Sequence, residues 1–366
     1  MSYHFRISLA FFGIVLILSN FSCKNQSVII DITGELINPR TYLIPQADQP
    51  IVIDGKDDDL SWKKAPFTED FIDIEGQKTP DQKTRLKMLW DEGFLYIYAY
   101  LEEKHIWATL KNRDTIIFYN NDFEVFISPS NSNHNYGEIE INALNTVWDL
   151  LLDRPYNTKG NPIFNWNIQN LKSAVHIEGT LNNPEDTDQY WSVEMAIPMR
   201  ALTELKRPPK GKPKIGEQWR INFSRVQWEY DLIDNRYYRK KENGKYLREN
   251  NWVWSSQGVI NMHLPENWGY IEFAESPKMD QPWIHKTDAE IEQITYALFR
   301  KIAYGDYKFL RDNPPGKNTS IKLSGLDDRK LRINLLNSYT GFDLEVFDQL
   351  NGAVYTIDER GYLNRP

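Results

Sequence analysis

From Ile51 onward, apolar and polar positions alternate along this chain with a period of two. Ile51-Val52-Ile53 runs into Asp54-Gly55, a turn dipeptide. Residues 85–90 alternate, Asp91-Glu92-Gly93 reverses the chain, and residues 94–100 alternate back, which is the pattern of a hairpin. Residues 123–127 and 138–142 repeat it, and further strand-like runs fall at 174–178, 191–196, 219–226 and 270–273. Many short strands between turn signals, with almost no helical periodicity, predict a mainly β fold, an antiparallel β-sandwich. The Pro/Lys-rich stretch 206–214 and the charged insert 234–250 read as surface loops.

The pattern changes near Pro277. Thr287 and Glu290 have capping-box spacing, and Ile291, Ile294, Leu298 and Ile302 then recur at helical spacing toward Gly305. Beyond Asn313-Pro314-Pro315-Gly316 come strand-like runs at 331–336, 342–347 and 353–357, the last two joined through the hairpin signal Asn351-Gly352. This predicts a small α+β annex, a helix and a β-hairpin, over 276–366. The sandwich is expected over 47–275.

The N-terminus reads as a processing signal. His4 and Arg6 precede an apolar run from Ile7 to Leu18, too short to span a bilayer as a helix but suited to a signal-peptide core over 1–22. Cys23 is the one cysteine in the chain, so no intramolecular disulfide forms. A lone cysteine after a signal core, preceded by Ser22, has the arrangement of a bacterial lipoprotein site. Lipidation at Cys23 would hold the body through a tether over 23–46, placing it in the cell envelope at the periplasmic face or cell surface. A net charge of −8 and the lack of a long basic block exclude nucleic acid as a partner.

Candidate chemistry sits on strands. Glu138, Glu140 and Asn142 share one face of their strand, and Asp122 and Glu124 share one face of the preceding strand. Two facing strands would bring Glu124 near Glu140, as an acid/base pair, as polar ligand contacts, or as a solvated polar face. The scattered histidines lack metal-ligand spacing, so no zinc site is expected. No cofactor is expected either, although Asp57-Asp58-Asp59 leaves a structural calcium ion open. Neither a Gly-x-Ser-x-Gly motif nor a phosphate-binding glycine loop is present. Aromatics make up 13% of the residues, a high share that needs either a large β core or a binding surface. Trp62, Trp90, Trp191 and Trp219 adjoin apolar strand positions and read as core. Phe118, Tyr119, Trp166, Trp228 and Trp252 stand in polar contexts and read as candidate platforms. A ring stacked on a sugar removes roughly 60 Å² of apolar surface from water, worth about 1.5 kcal/mol.

Taken in order, Ile53-Asp54-Gly55 with Trp62, Leu89-Trp90-Asp91 with Leu95-Tyr96, Asp122-Phe123-Glu124-Val125-Phe126-Ile127, residues 138–142, 191–198 and 219–228, and His263-Leu264-Pro265-Glu266-Asn267-Trp268-Gly269 resemble a carbohydrate-binding family 9-like protein. The longer version with an annex resembles lipoproteins of Bacteroidetes-type bacteria. The resemblance implies a family 9 or DOMON-like sandwich that binds saccharide and works beside glycan-degrading enzymes. It places a ligand-binding glutamate at Glu124, one clamp ring at Phe118 or Tyr119, and the other at Met262, which is not aromatic. A basic family position falls on Glu140, and a polar one near Ser224, with Arg225 adjacent. The expected ligand contacts are therefore Phe118, Tyr119, Glu124, Asn142, Trp166, Ser224, Arg225 and Trp252, with Trp228 or Trp254 as further replacements for the missing ring. The leading expectation is non-catalytic, membrane-tethered glycan binding. Two others stand beside it: a glycoside hydrolase using strand carboxylates, and a structural envelope lipoprotein without sugar binding.

Overall fold

The computed structural model describes residues 27–206, 211–276, 282–326 and 329–366. The signal segment 1–22 and Cys23 lie outside the described residues. Among the described residues, no helix is long and apolar enough to cross a membrane.

Two sheets form the sandwich. The smaller runs Lys172–Glu178, Tyr190–Pro198, Phe94–Glu102, Thr84–Trp90, antiparallel throughout. The larger runs Thr41–Ile44, Gly269–Phe273, Gln218–Gln227, Asp122–Ser128, Tyr136–Asn142, Val147–Leu152, Pro162–Ile163, with Asn250–Val253 paired to the far half of Gln218–Gln227. Alternation supplies the core between them. Leu86, Met88, Ile97, Val193 and Met195 of one sheet face Val125, Ile127, Ile139, Ile141, Trp219, Ile221 and Phe223 of the other, all buried. Trp62, Trp90, Trp191 and Trp219 are buried as the sequence predicts, and so is Trp268.

One contact explains why the motif residues spread along the chain belong together. Glu194, in the middle of Tyr190–Pro198, accepts from the backbone amides of Asp54 (2.8 Å) and Gly55 (3.0 Å) and from the Trp62 indole (3.0 Å). Ser192, two residues away on the same face, donates to the Gly55 carbonyl at 2.7 Å. Gly55 has φ +91, and a Cβ there would lie 2.6 Å from the His176 backbone nitrogen, so glycine alone fits the turn.

The annex is larger than a helix and a hairpin. Its sheet has six strands, in the order Val28–Asp31, Asn318–Ser324, Leu331–Asn337, Phe342–Asp348, Val354–Asp358, Leu363–Asn364. The first comes from the segment expected to be a tether, and pairs in parallel with Asn318–Ser324. Thr41–Ile44 pairs in parallel with Gly269–Phe273. Residues 27–46 thus lace both sheets together, because their apolar positions find partners far along the chain. The helix Ala289–Ala303 is capped by Asp288, whose carboxylate accepts from the Ile291 amide at 3.0 Å, rather than by the Thr287/Glu290 box. Ile291, Ile294, Leu298 and Ile302 pack on the annex sheet. Its opposite side turns Glu292 and Arg300 to the sandwich, where Arg300 pairs with Glu266 and Glu292 with Arg220.

Candidate functional site

The outer face of the larger sheet is a covered surface rather than a solvated one. Strand register sets Glu124 opposite Glu140 and opposite Ser224, and sets Phe126 opposite Glu138. Trp148 stands opposite Glu140 on the next strand. Residues 248, 249, 251 and 260–263 line the same face and leave a cavity of about 240 Å³. Its floor is Glu124, Glu138 and Glu140. Its walls are Phe118, Phe126, Trp148, Tyr156, Met262 and His263, with Arg248, Glu249 and Asn251 closing one side.

Burial governs the electrostatics. Glu124 is pushed up to about 7 by burial, with Glu249 adding to the rise and the Ser224 hydroxyl opposing it. Burial likewise holds Glu138 and Glu140 well above the usual carboxylate range, and neighbouring carboxylates raise both further. Asp122, two residues from Glu124 on the same strand, is raised by burial and then by Glu124, with the Val226 amide opposing. The Phe118 amide donates to Glu140 at 3.0 Å and partly offsets its rise. His263 is pushed down to about 4 by burial, so near neutrality it is an uncharged imidazole, 2.8 Å from the Tyr136 hydroxyl. The edge of Tyr156 meets the same imidazole ring, with centroids 4.6 Å apart. A cavity of this kind offers hydrogen-bond acceptors on its floor and apolar faces on its walls.

The structure brings together only part of the residue set read from sequence. Phe118 and Glu124 line the cavity. Ser224 is buried beside Glu124 in the floor. Tyr119, although adjacent to Phe118, lines a neighbouring cleft with Trp107, Tyr237 and Tyr246. There the Arg239 guanidinium lies 4.3 Å over the Tyr119 ring and 4.1 Å over the Tyr246 ring. Asn142 is committed to its own turn: it donates to the Leu110 carbonyl at 2.9 Å and accepts from the Leu144 and Thr146 amides. Trp166 packs over Gly137 against the inter-sheet core.

Arg225 and Trp252 face the sandwich interior. Arg225 is 0% exposed, pairs with Glu103 at 2.9 Å and lies 4.8 Å over the Trp252 ring. It shares the strand phase of Ile221 and Phe223, which carries it inward, away from Ser224. Trp228 and Trp254 are also buried, the Trp228 indole donating to the Phe118 carbonyl at 2.7 Å. None of these tryptophans replaces the ring missing at Met262, which itself lines the cavity. Asp57-Asp58-Asp59 does not converge on a metal position: Asp57 pairs with Lys87 at 2.7 Å, and Asp59 accepts from the Val52 amide at 2.8 Å.

Trp148 and Tyr156 were missed by sequence reasoning. Residues 147–152 read Val-Trp-Asp-Leu-Leu-Leu, apolar on both faces, so alternation does not mark the strand. The useful signal was position: a tryptophan one strand beyond the Glu138/Glu140 face.

Fold and cavity together define a β-sandwich module with a carboxyl-floored cavity on one sheet. Residues 53–224 match the family described as carbohydrate family 9 binding domain-like. Over this segment the chain is similar to that family, the one its motifs resemble. No curated protein matches the chain. Two carbohydrate binding module family 9 structures from Caldicellulosiruptor kristjanssonii are similar to it, each at 14% identity. One, in complex with cellotriose, covers 67% of this chain and 100% of its own, with a TM-score of 0.43. The other, in complex with glucose, covers 66% and 100%, with a TM-score of 0.42. A structure from Bacteroides uniformis, described provisionally as carbohydrate-binding, is 13% identical over 64% of this chain and 100% of its own, with a TM-score of 0.47.

Proposed function

We propose that this protein binds saccharide without turning it over, using the cavity on the outer face of the larger sheet. The observation that carries this reading is the meeting of buried carboxylates with Phe118, Trp148 and Tyr156 in one cavity of about 240 Å³. A sugar ring offers hydroxyls at its rim and C–H faces above and below, which such a lining complements. The family match over residues 53–224 supports the same ligand class. The volume suits a single ring or a chain end better than the middle of a polymer.

Calorimetry against a saccharide panel is expected to detect a ligand, and Glu124→Gln is expected to weaken it about tenfold, the loss of one charge-assisted hydrogen bond. No binding to any saccharide at millimolar concentration would overturn the reading. Catalysis is disfavoured because Glu124 and Glu140 stand side by side on neighbouring strands of one floor. A glycosidase instead needs its two carboxyl groups to flank the scissile bond. Hydrolysis of any panel member that disappears in both Glu124→Gln and Glu140→Gln would reverse this conclusion.

We also propose that Cys23 is acylated and holds the module in the cell envelope, beside enzymes that break down polysaccharide. The support is the order of signal core, Ser22 and lone Cys23. Cys23→Ser is expected to move the protein from the membrane to the soluble fraction and to remove a lipid mass from its N-terminal peptide. Unchanged fractionation would discard the anchor.

A further inference from the structure

The floor of the cavity gathers more carboxyl groups than a neutral sugar requires. One carboxylate oxygen each from Asp122, Glu124 and Glu140 lies within 4.8 Å of the others. Glu138 lies on the same face, two residues from Glu140. Among the described residues, no Lys or Arg forms an ion pair with any of the four. Arg248 lines the cavity, but it is exposed.

A second observation is independent of the clustering. Asp122 is 0% exposed, and neither of its carboxylate oxygens has a hydrogen-bond partner of ordinary geometry, although the Val226 amide stands close enough to lower its pKa. One oxygen of Glu138 and the buried Ser224 hydroxyl are in the same condition, although Ser224 stands close enough to Glu124 to influence its carboxyl. Buried polar atoms without partners are rare and costly, and they mark a place where a ligand completes the structure. Protonation would remove the charge from Asp122, but it would leave an O–H and a carbonyl oxygen still unpaired. A cation satisfies the charge and the lone pairs together.

We propose that Asp122, Glu124 and Glu140 bind a hard divalent cation of the calcium class at the base of the cavity, and that its open positions take saccharide hydroxyls. The donor set is all oxygen, which selects calcium-like over zinc-like ions. Calcium–oxygen distances of about 2.3–2.6 Å put opposite ligands about 5 Å apart, so three oxygens within 4.8 Å of one another fit around one ion. Magnesium at about 2.0–2.1 Å requires a tighter shell. Three protein carboxylates leave several of the six to eight calcium positions for water or for vicinal hydroxyls, and two of the three, Glu124 and Glu140, line the cavity.

The saccharide half of this proposal rests on the reading given under Proposed function, so the experiment separates the two. The full chain in detergent, freed of metal by chelation, is titrated with calcium chloride by calorimetry at neutral pH. It is also titrated with terbium, whose luminescence Trp148 would sensitise. The expected result is a single site, a thermal midpoint that rises with calcium, and saccharide binding that is lost in chelator. Asp122→Asn is expected to lower calcium affinity by about tenfold or more, and its midpoint should no longer respond to calcium. Glu124→Gln serves as a second variant with the same readouts. No calcium uptake at millimolar concentration overturns the cation site, and saccharide binding that persists there leaves the function intact. Calcium binding with saccharide affinity unchanged in chelator overturns the coupling. Calcium binding without any saccharide ligand overturns the function and upholds the site.

Discussion

Replacing Glu292 with alanine should cost about 3–5 kcal/mol of stability, the range for breaking one side of a buried ion pair. Glu292 lies on the helix Ala289–Ala303 where that helix meets the sandwich, and its side chain is fully buried. It receives Arg220 from the larger sheet and Arg365 from the C-terminus, the latter through nitrogens 2.6 and 2.9 Å from its oxygens. Burial alone would raise its pKa. The two guanidinium groups outweigh that and hold the carboxyl below its usual range, so it is ionised. Arg220 also donates to the Pro265 carbonyl at 2.8 Å and to the Tyr270 hydroxyl at 3.1 Å, so it cannot swing out to water once Glu292 is gone. The loss therefore falls on a charge trapped between two modules. Chemical denaturation of Glu292→Ala against wild type measures it. A cost below about 1 kcal/mol would mean that water reaches Arg220 in the variant. Replacing Glu292, Arg220 and Arg365 together with methionine should recover most of the loss, since no buried charge is then left alone.

What the sequence disclosed divides along physical lines. The hairpin Thr84–Trp90 to Phe94–Glu102 was legible because its alternation is local and Asp91-Glu92-Gly93 marks its turn. The strands Val28–Asp31 and Thr41–Ile44 were not, because each pairs in parallel with a strand more than 200 residues away and has no local turn to announce it. Alternation gave the face of Glu138 and Glu140 correctly. It could not say that residues 248, 249, 251 and 260–263 wall in that face, which decides whether it is solvated or a cavity. The same alternation would have placed Arg225 inward with Phe223. A charged residue on a core face argues against itself, and only the buried partners Glu103 and Gln227 resolve the conflict. Composition suggested aromatic platforms. The Trp228 indole instead holds the Phe118 carbonyl from inside the core, as the Trp268 indole holds the Met262 carbonyl.

Glu194→Ala should destabilise the protein by about 3 kcal/mol or more, because three donors lose their shared acceptor: the amides of Asp54 and Gly55 and the Trp62 indole. Glu194→Gln should cost less, about 1–3 kcal/mol, since its carbonyl keeps the two amides while its NH2 group faces the indole N–H. Glu194 also predicts a pH dependence. Burial pushes its pKa up to about 7, and the bonds from Trp62, Asp54 and Gly55 only partly offset that rise. An unfolded glutamate titrates near its ordinary value of about 4.3. Between these values the folded chain holds a proton that the unfolded chain has released, so stability falls as pH rises through about 4.3 to 7 and levels off above. Glu194→Gln cannot titrate. Its deficit relative to wild type should therefore be larger at pH 4 than at pH 8, and the difference between the two curves isolates Glu194 from the other buried carboxylates. Parallel wild-type and variant curves across that window would show that Glu194 stays ionised, held by its three donors against the cost of its burial.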